Sequence, residues 1–198
     1  MNRRDLLRGA TLAAAAHATG SLAHADPPAP APAHPLSKIA LEEHFMVPAF
    51  MESFAETYPN ISPRLIQLAP PVLMDFGERR LSFMDAHHID YVVLSLAGPG
   101  VQYERDAAVA ARKAKWVNDF LAAEIQKRPT RYGGFAHLAM HKPAEAAAEL
   151  ERCVRELGFH GAMINGQTNG EYLDLDKYSV FWERAADLQA PIYLHPGN

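Results

Sequence analysis

The sequence predicts an α/β fold in which parallel strands alternate with helices. Short, nearly continuous apolar runs such as 90–96 (DYVVLSL) are typical of strands buried on both faces, and segments with helical apolar spacing separate them. Strands that alternate with helices form parallel pairs with right-handed crossovers. Both a doubly wound sheet and a (β/α) barrel satisfy this pattern. No Gly-x-Gly-x-x-Gly follows the first strand, which disfavours a dinucleotide-binding fold.

The predicted elements follow one another regularly from residue 38 onward. A first short strand at 39–41 leads into Glu42, Glu43 and His44. A short helix at 51–57 and a long, proline-broken loop region come next, followed by a helix over 75–88. The later strands are predicted at 90–96, 132–140, 161–165 and 191–195, and the helices between them at 106–128, 143–157 and 178–188.

Polar residues recur where the predicted strands end, and in barrels this rim carries the chemistry. They are Glu42 with His44, then Ser95, His137, Asn165 and His195. Residues at i and i+2 of a strand point the same way, so Glu42 and His44 can face one ion while Glu43 points elsewhere. Such a site suits zinc or manganese. The simpler alternatives are a solvated strand end and, for His195, a buried neutral histidine.

Composition narrows the function classes. The chain of 198 residues predicts one domain, and its net charge of −4 gives no reason to expect a nucleic-acid partner. Cys153 is the one cysteine, which excludes an internal disulfide framework and a cysteine-rich zinc module; we interpret it as a small buried apolar residue. The 10 histidines and the carboxylates are therefore the available pool of metal ligands.

The N-terminal segment indicates that the protein is exported, and we do not expect this segment to be part of the folded domain. Arg3 and Arg4, an Ala-rich run over 10–23 and the small-x-small sequence at 23–25 are typical of a twin-arginine signal at 1–25, with an amphipathic or disordered arm as the alternative. A Pro/Ala-rich linker at 26–37 would join it to the domain at 38–198. We expect a periplasmic or secreted protein without membrane association after cleavage, or a cytoplasmic one if the signal is not used.

Several motifs resemble the amidohydrolase-2 family, and most of all its metal-dependent hydroxybenzoate decarboxylases. They include LEEHF at 41–45, MDA at 84–86, GAMING at 161–166 and YLHP at 193–196, and the similarity runs from about residue 38 to 198. The resemblance implies the first five βα units of a (β/α)8 TIM barrel. It also implies one divalent metal, Zn²⁺ or Mn²⁺, bound by Glu42, His44 and His195. Asn165 falls in the substrate pocket, and His137 either alters that pocket or, as we favour, packs at the strand end.

The implied activity is a metal-dependent carboxy-lyase acting on a small aromatic carboxylic acid. The alternatives are a hydrolase of an amide or lactone and an inactive partial barrel. The family also uses a histidine after the sixth strand and a proton-donating aspartate after the eighth, and a complete barrel takes about 250 residues. Because the sequence ends at Asn198, we expect a fragment that is poorly stable and inactive alone, and homo-oligomers of the full-length protein.

Overall fold

The structure, a computed structural model, describes residues 37–51 and 62–196. Its five strands are all parallel and lie side by side in sequence order, forming a half-barrel. The predicted α/β class and partial barrel are thereby confirmed. The strands are β1 (Lys38–Phe45), β2 (Ile89–Leu96), β3 (Tyr132–Ala136), β4 (Gly161–Asn165) and β5 (Ile192–His195).

Helices connect the strands. They are α1 (Pro63–Leu73), α2 (Glu78–Ala86), α3 (Ala107–Lys127), α4 (Pro143–Arg155) and α5 (Ser179–Asp187), with short 3-10 turns at Pro48–Phe50, Gly100–Tyr103 and Asp176–Tyr178. The bounds of α2, α3, α4 and α5 agree with the prediction to within a few residues at each end. None of the helices in the described ranges is long and apolar enough to cross a bilayer.

Helix α1 corrects one prediction. The sequence predicts a proline-broken loop here, but Pro63–Leu73 is helical, with Pro70 and Pro71 inside it. Pro63 stands in the first turn, where no N–H partner is needed. A proline φ angle fits a helix, and the backbone N–H of Met74 still donates to Pro70 O at 2.9 Å. The expected helix at 51–57 lies outside the described residues apart from Met51.

Strand β3 is shorter than predicted, because it ends at Ala136 rather than at 140. The side chain of Asn118, on α3, takes over the hydrogen bonds of the next residue. Its Nδ2 donates to His137 O at 3.0 Å, and its Oδ1 accepts from His137 N–H at 2.8 Å. The peptide of His137 is thus satisfied by a buried amide instead of by a neighbouring strand, and the chain leaves the sheet there.

The two faces of the sheet carry different side chains. The outer face packs under the helices and contributes residues such as Val92, Leu94 and Ile164 to the main core. The inner face holds a smaller cluster of Val93, Phe135 and Met163, with Tyr91 and Tyr193 against it. Cys153 is buried under α4 as expected for a small apolar residue, and burial raises the pKa of its thiol.

A β-bulge interrupts β1 just before the candidate site. Ala40 pairs with Val92 and Glu43 pairs with Leu94, so β1 uses three residue steps where β2 uses two. Leu41 and Glu42 therefore span a single position of the neighbouring strand. One extra residue reverses which face the following side chains occupy. The bulge thus sets the direction of the polar residues at the end of β1.

Candidate metal centre

The structure brings Glu42, His44 and His195 together at the carboxyl ends of β1 and β5. One carboxylate oxygen, Glu42 Oε1, lies 3.4 Å from His195 Nε2 and 3.9 Å from His44 Nε2. The candidate ligand atoms of all three residues lie within 4.8 Å of one another. Two donors bound to one ion at about 2.1 Å lie roughly 3.0–3.4 Å apart. The three side chains therefore form a donor set that a modest contraction would close around a divalent ion.

Hydrogen bonds orient both imidazoles. His195 Nδ1 lies 2.8 Å from Pro196 O, which can only accept, so Nδ1 carries the proton. His44 Nδ1 lies 3.0 Å from Ser95 Oγ, and that hydroxyl lies 3.4 Å from Glu43 O. Because the carbonyl can only accept, the hydroxyl donates to it and accepts from the His44 N–H. Each ring thus turns its Nε2 towards Glu42 while Nδ1 is held by a hydrogen bond, which is the arrangement of metal-binding histidines.

The charges at the cluster suit metal binding near neutral pH. The pKa of the Glu42 carboxyl is lowered chiefly because the Tyr193 hydroxyl donates to Oε2, and the nearby histidines lower it further. Burial lowers the pKa of His44, and neighbouring His195 adds to the effect, against the opposing influence of Glu42. The carboxyl is therefore ionised and the His44 ring neutral, so both offer lone pairs without first losing a proton.

Glu43 points away from the cluster, as expected from strand alternation. Its carboxylate accepts a hydrogen bond from the guanidinium of Arg80 on α2 and forms an ion pair with it. The two adjacent carboxylates are thus separated by the strand. Glu42 is available for an ion, and Glu43 is engaged on the other side.

Asn165 lies beside the cluster on the inner rim, paired in register with His195 on the next strand. Its Nδ2 donates to Leu96 O at 3.4 Å, so the amide reaches past β3. Its Oδ1 is buried and has no hydrogen-bond partner among the residues that the structure describes. An orphaned buried acceptor needs a donor from elsewhere. The role of Asn165 in a substrate pocket stays a prediction.

His137 is buried away from solvent, with 2% of its surface exposed. Its Nε2 accepts the backbone N–H of Val101 at 2.8 Å, and its ring meets Phe50 edge-on at 6.4 Å between centroids. Burial lowers its pKa from 6.5 to about 3. These contacts agree with the favoured interpretation of His137 as a packing residue; its alternative role in the substrate pocket stays a prediction.

Three residues contact the cluster or its strand although the sequence did not predict these contacts. Tyr193 stands two residues before His195 on β5, a spacing that could have indicated a shared face. Ser95 is predicted only as a strand-end residue. Arg80 gives no local signal, because its contacts lie on other elements.

Comparison with known proteins places these observations in a family. The family model described as "Amidohydrolase" matches residues 23–198. Gamma-resorcylate decarboxylase from Polaromonas sp. is 43% identical over 172 residues, which is 81% of this chain and 50% of the relative. Gamma-resorcylate decarboxylase from Rhodococcus jostii is 43% identical over 173 residues, 81% of this chain and 51% of the relative. The chain spans about half the length of these relatives.

Solved structures agree. A dihydroxybenzoic acid decarboxylase from Polaromonas sp., with bound manganese and the inhibitor 2-nitroresorcinol, superposes with a TM-score of 0.76 at 42% identity, over 82% of this chain and 50% of that one. A 5-carboxyvanillate decarboxylase from Novosphingobium aromaticivorans, also with manganese, superposes with a TM-score of 0.74 at 33% identity, over 81% of this chain and 51% of that one. A 2,6-dihydroxybenzoate decarboxylase complexed with 2,6-dihydroxybenzoate is also similar. It superposes with a TM-score of 0.76 at 39% sequence identity, over 82% of this chain and 51% of that one.

Proposed function

Because this chain belongs to the amidohydrolase family, we propose that it carries the metal-binding part of a carboxy-lyase acting on a small hydroxybenzoate-type acid. The observation that carries the proposal is the convergence of Glu42, His44 and His195 on one point at the carboxyl edge of the sheet. The decarboxylases among the relatives support this chemistry over hydrolysis. The chain spans about half their length, so the proposal concerns the activity of the whole protein.

We propose manganese as the resident ion rather than zinc. Three of the similar solved structures contain manganese, and one carboxylate with two imidazoles is a donor set that accepts it. A bound ion of this kind supplies a Lewis acid and a template for the carboxylate and neighbouring hydroxyl of an aromatic acid. Glu42 would hold the ion by its ionised carboxylate, and His44 and His195 would hold it by Nε2.

Asn165 would recognise the substrate's hydroxyl. Its buried Oδ1 is an unused acceptor next to the donor set, and a phenolic hydroxyl beside a carboxylate is a donor of suitable chemistry. A benzoate without that hydroxyl would leave this acceptor unsatisfied, which costs binding energy. Among the described residues, the cluster of Glu42, His44 and His195 contains no aspartate. We therefore assign to this cluster no donor for the proton that replaces the carboxylate on the ring carbon.

The first experiment measures metal binding by isothermal titration with MnCl₂ and, separately, with ZnCl₂. We expect the protein as its gene encodes it to bind one ion per chain, and we expect binding to be lost in His195→Ala and in Glu42→Gln. His87→Ala is the matched control, because His87 is exposed at the end of α2 and outside the cluster. Undiminished binding by both cluster variants would contradict the proposed centre.

The second experiment tests the reaction. The protein as its gene encodes it, loaded with Mn²⁺, is given 2,6-dihydroxybenzoate, and carbon dioxide release is followed. We expect release that stops in His195→Ala. A ring-opened acid from a lactone, without carbon dioxide from the hydroxybenzoate, would indicate a hydrolase instead. A metal-binding protein that acts on neither substrate would contradict the carboxy-lyase proposal.

We also propose that residues 1–25 direct twin-arginine export of the domain at 38–198, with 26–37 as a linker. The paired arginines and the small-x-small sequence before Asp26 support this. Replacing Arg3 and Arg4 together by Lys keeps the charge and should leave the protein in the cytoplasm. Periplasmic protein in that variant, measured by cell fractionation, would contradict the proposal.

A further inference from the structure

We infer that Arg80 is a positioning residue for the metal centre: paired with Glu43, it holds the bulged end of β1 so that Glu42 and His44 face the inside of the half-barrel. Arg80 lies on α2, on the far side of β1 from the cluster, and touches none of the three candidate ligands through their side chains. The inference rests on the proposed metal site and assigns to Arg80 the task of building it.

The Arg80 side chain is buried, with 7% of its surface exposed, and uses its donors on three segments. Nη2 donates to His44 O at 2.9 Å and to Leu73 O at 3.3 Å. Nε donates to Asp75 O at 2.8 Å, and Nη1 donates to the Glu43 carboxylate. One planar group therefore fixes the end of α1, the turn before α2 and the two residues that follow the bulge.

The bulge is what makes this contact relevant to function. Ile39 pairs with Tyr91 of the inner cluster, and Ala40 pairs with Val92 of the outer core. With plain alternation from these residues, Glu42 would lie on the outer face, beneath the helices. The extra residue at Leu41–Glu42 moves Glu42 and His44 to the inner face.

A bulge disrupts the ladder locally and leaves the extra residue unpaired, so contacts from outside the sheet can hold it in one conformation. Arg80 does so at the first two positions after the break. It binds the side chain of Glu43, which faces outward, and the carbonyl of His44, whose side chain faces inward. These two contacts together determine which way each residue of the pair points.

A purely structural role for Arg80 fits less well. A buried ion pair adds little stability compared with apolar residues of similar volume, so joining α2 to β1 does not require a guanidinium. The contact with the carbonyl of a candidate ligand is specific to the site. Residues that hydrogen-bond metal ligands typically change metal affinity 10–100-fold when replaced, and we expect the lower end of this range for Arg80, which contacts a candidate ligand through its backbone.

The test compares Mn²⁺ binding by Arg80→Met and Arg79→Met in the full chain. Arg79 is the adjacent, exposed arginine of α2, so the same replacement there controls for loss of charge. We expect a Kd for Mn²⁺ at least tenfold weaker in Arg80→Met and within twofold of the wild type in Arg79→Met. Circular dichroism at the titration temperature verifies that each variant is folded.

A second variant keeps the inference testable if Arg80→Met does not fold. The Glu43 side chain is 39% exposed, so Glu43→Ala leaves no buried cavity, but it removes the counter-charge of the buried Arg80 guanidinium, and circular dichroism therefore verifies that this variant is folded as well. We expect a roughly tenfold weaker Kd and a changed Mn²⁺ electron paramagnetic resonance spectrum. Arg80→Lys, which keeps the charge but not the planar fork, should recover part of the affinity.

The outcomes separate the two proposals. If His44→Ala keeps full Mn²⁺ affinity, the metal centre itself is wrong. If His44→Ala loses the metal while folded Glu43→Ala and Arg80→Met bind it within twofold of the wild type, only the positioning role is overturned. Lower thermal stability of these two variants, with unchanged affinity and an unchanged resonance spectrum, would likewise overturn the positioning role.

Discussion

The buried histidine at the end of β3 should make this protein sensitive to mild acid. His137 has a pKa of about 3 in the folded state against an ordinary value of 6.5, because burial disfavours its charged form. An unfolded chain therefore binds a proton below pH 6.5 that the folded chain refuses. The stability contributed by the neutral ring is fully present above pH 6.5 and is lost as the pH falls towards about 3.

The size of the effect follows from the shift. Each pH unit within this window removes about 1.4 kcal/mol from the free energy of unfolding. Lowering the pH from 6.5 to 5 should therefore cost about 2 kcal/mol through His137 alone. That is a large share of the 5–15 kcal/mol typical of a folded domain, so the effect should be visible in a single titration series.

The perturbation is His137→Gln, measured by urea unfolding at pH 7, 6 and 5. Glutamine can still accept the Val101 N–H through Oε1, but it does not titrate. We expect the variant to be less stable at pH 7 by about 1–2 kcal/mol, because the ring also packs against Phe50. Its stability should then fall about 2 kcal/mol less than that of the wild type between pH 6.5 and pH 5.

His87→Gln, at an exposed position, is the control for replacing a histidine by glutamine. Parallel curves for the wild type and His137→Gln would refute the reasoning, since they would mean that the ring already takes up a proton in the folded state. A change in substrate KM with no change in acid sensitivity would instead support the pocket interpretation of His137.

Two further predictions concern the site and the turn beside it. Ser95→Ala removes the acceptor for the His44 Nδ1–H, so Mn²⁺ affinity measured by calorimetry should fall roughly tenfold. Ser95→Thr keeps the hydroxyl and should bind Mn²⁺ about as tightly as the wild type. Equal Mn²⁺ affinities of Ser95→Ala and the wild type would contradict the tautomer assigned to His44. Gly100→Ala places a Cβ 2.2 Å from His137 Nε2 at a φ of +59°, and should cost about 2–4 kcal/mol in urea unfolding. Gly158 also has a positive φ of +71°, but a Cβ added there meets no atom within 4 Å, so Gly158→Ala should cost only about 1 kcal/mol. Equal losses of stability in the two variants would show that backbone strain, and not the clash with His137, causes both.

Local patterns were sufficient for the elements that depend on nearby residues. Apolar runs located β2 and β4, and helical spacing of apolar residues located α3. An element that is buried on one or two faces has a periodic pattern of apolar residues, which can be recognised in the sequence. The prolines of α1 misled the prediction, since proline is compatible with helical φ and its cost depends on which hydrogen bonds remain. The early end of β3 depended on Asn118, 19 residues away.

By itself the sequence determined the parallel α/β order, the family motifs and the set of polar residues at the strand ends, including Glu42, His44 and His195. Only the tertiary structure decided how these residues meet. The bulge in β1 turns two of them inward, and the curvature of the five-stranded half-barrel brings the third, on the opposite edge strand, to within 3.4 Å of the first. Arg80 holds the bulge from another helix. Register and long-range hydrogen bonds are properties of paired segments, so no single stretch of sequence can specify them.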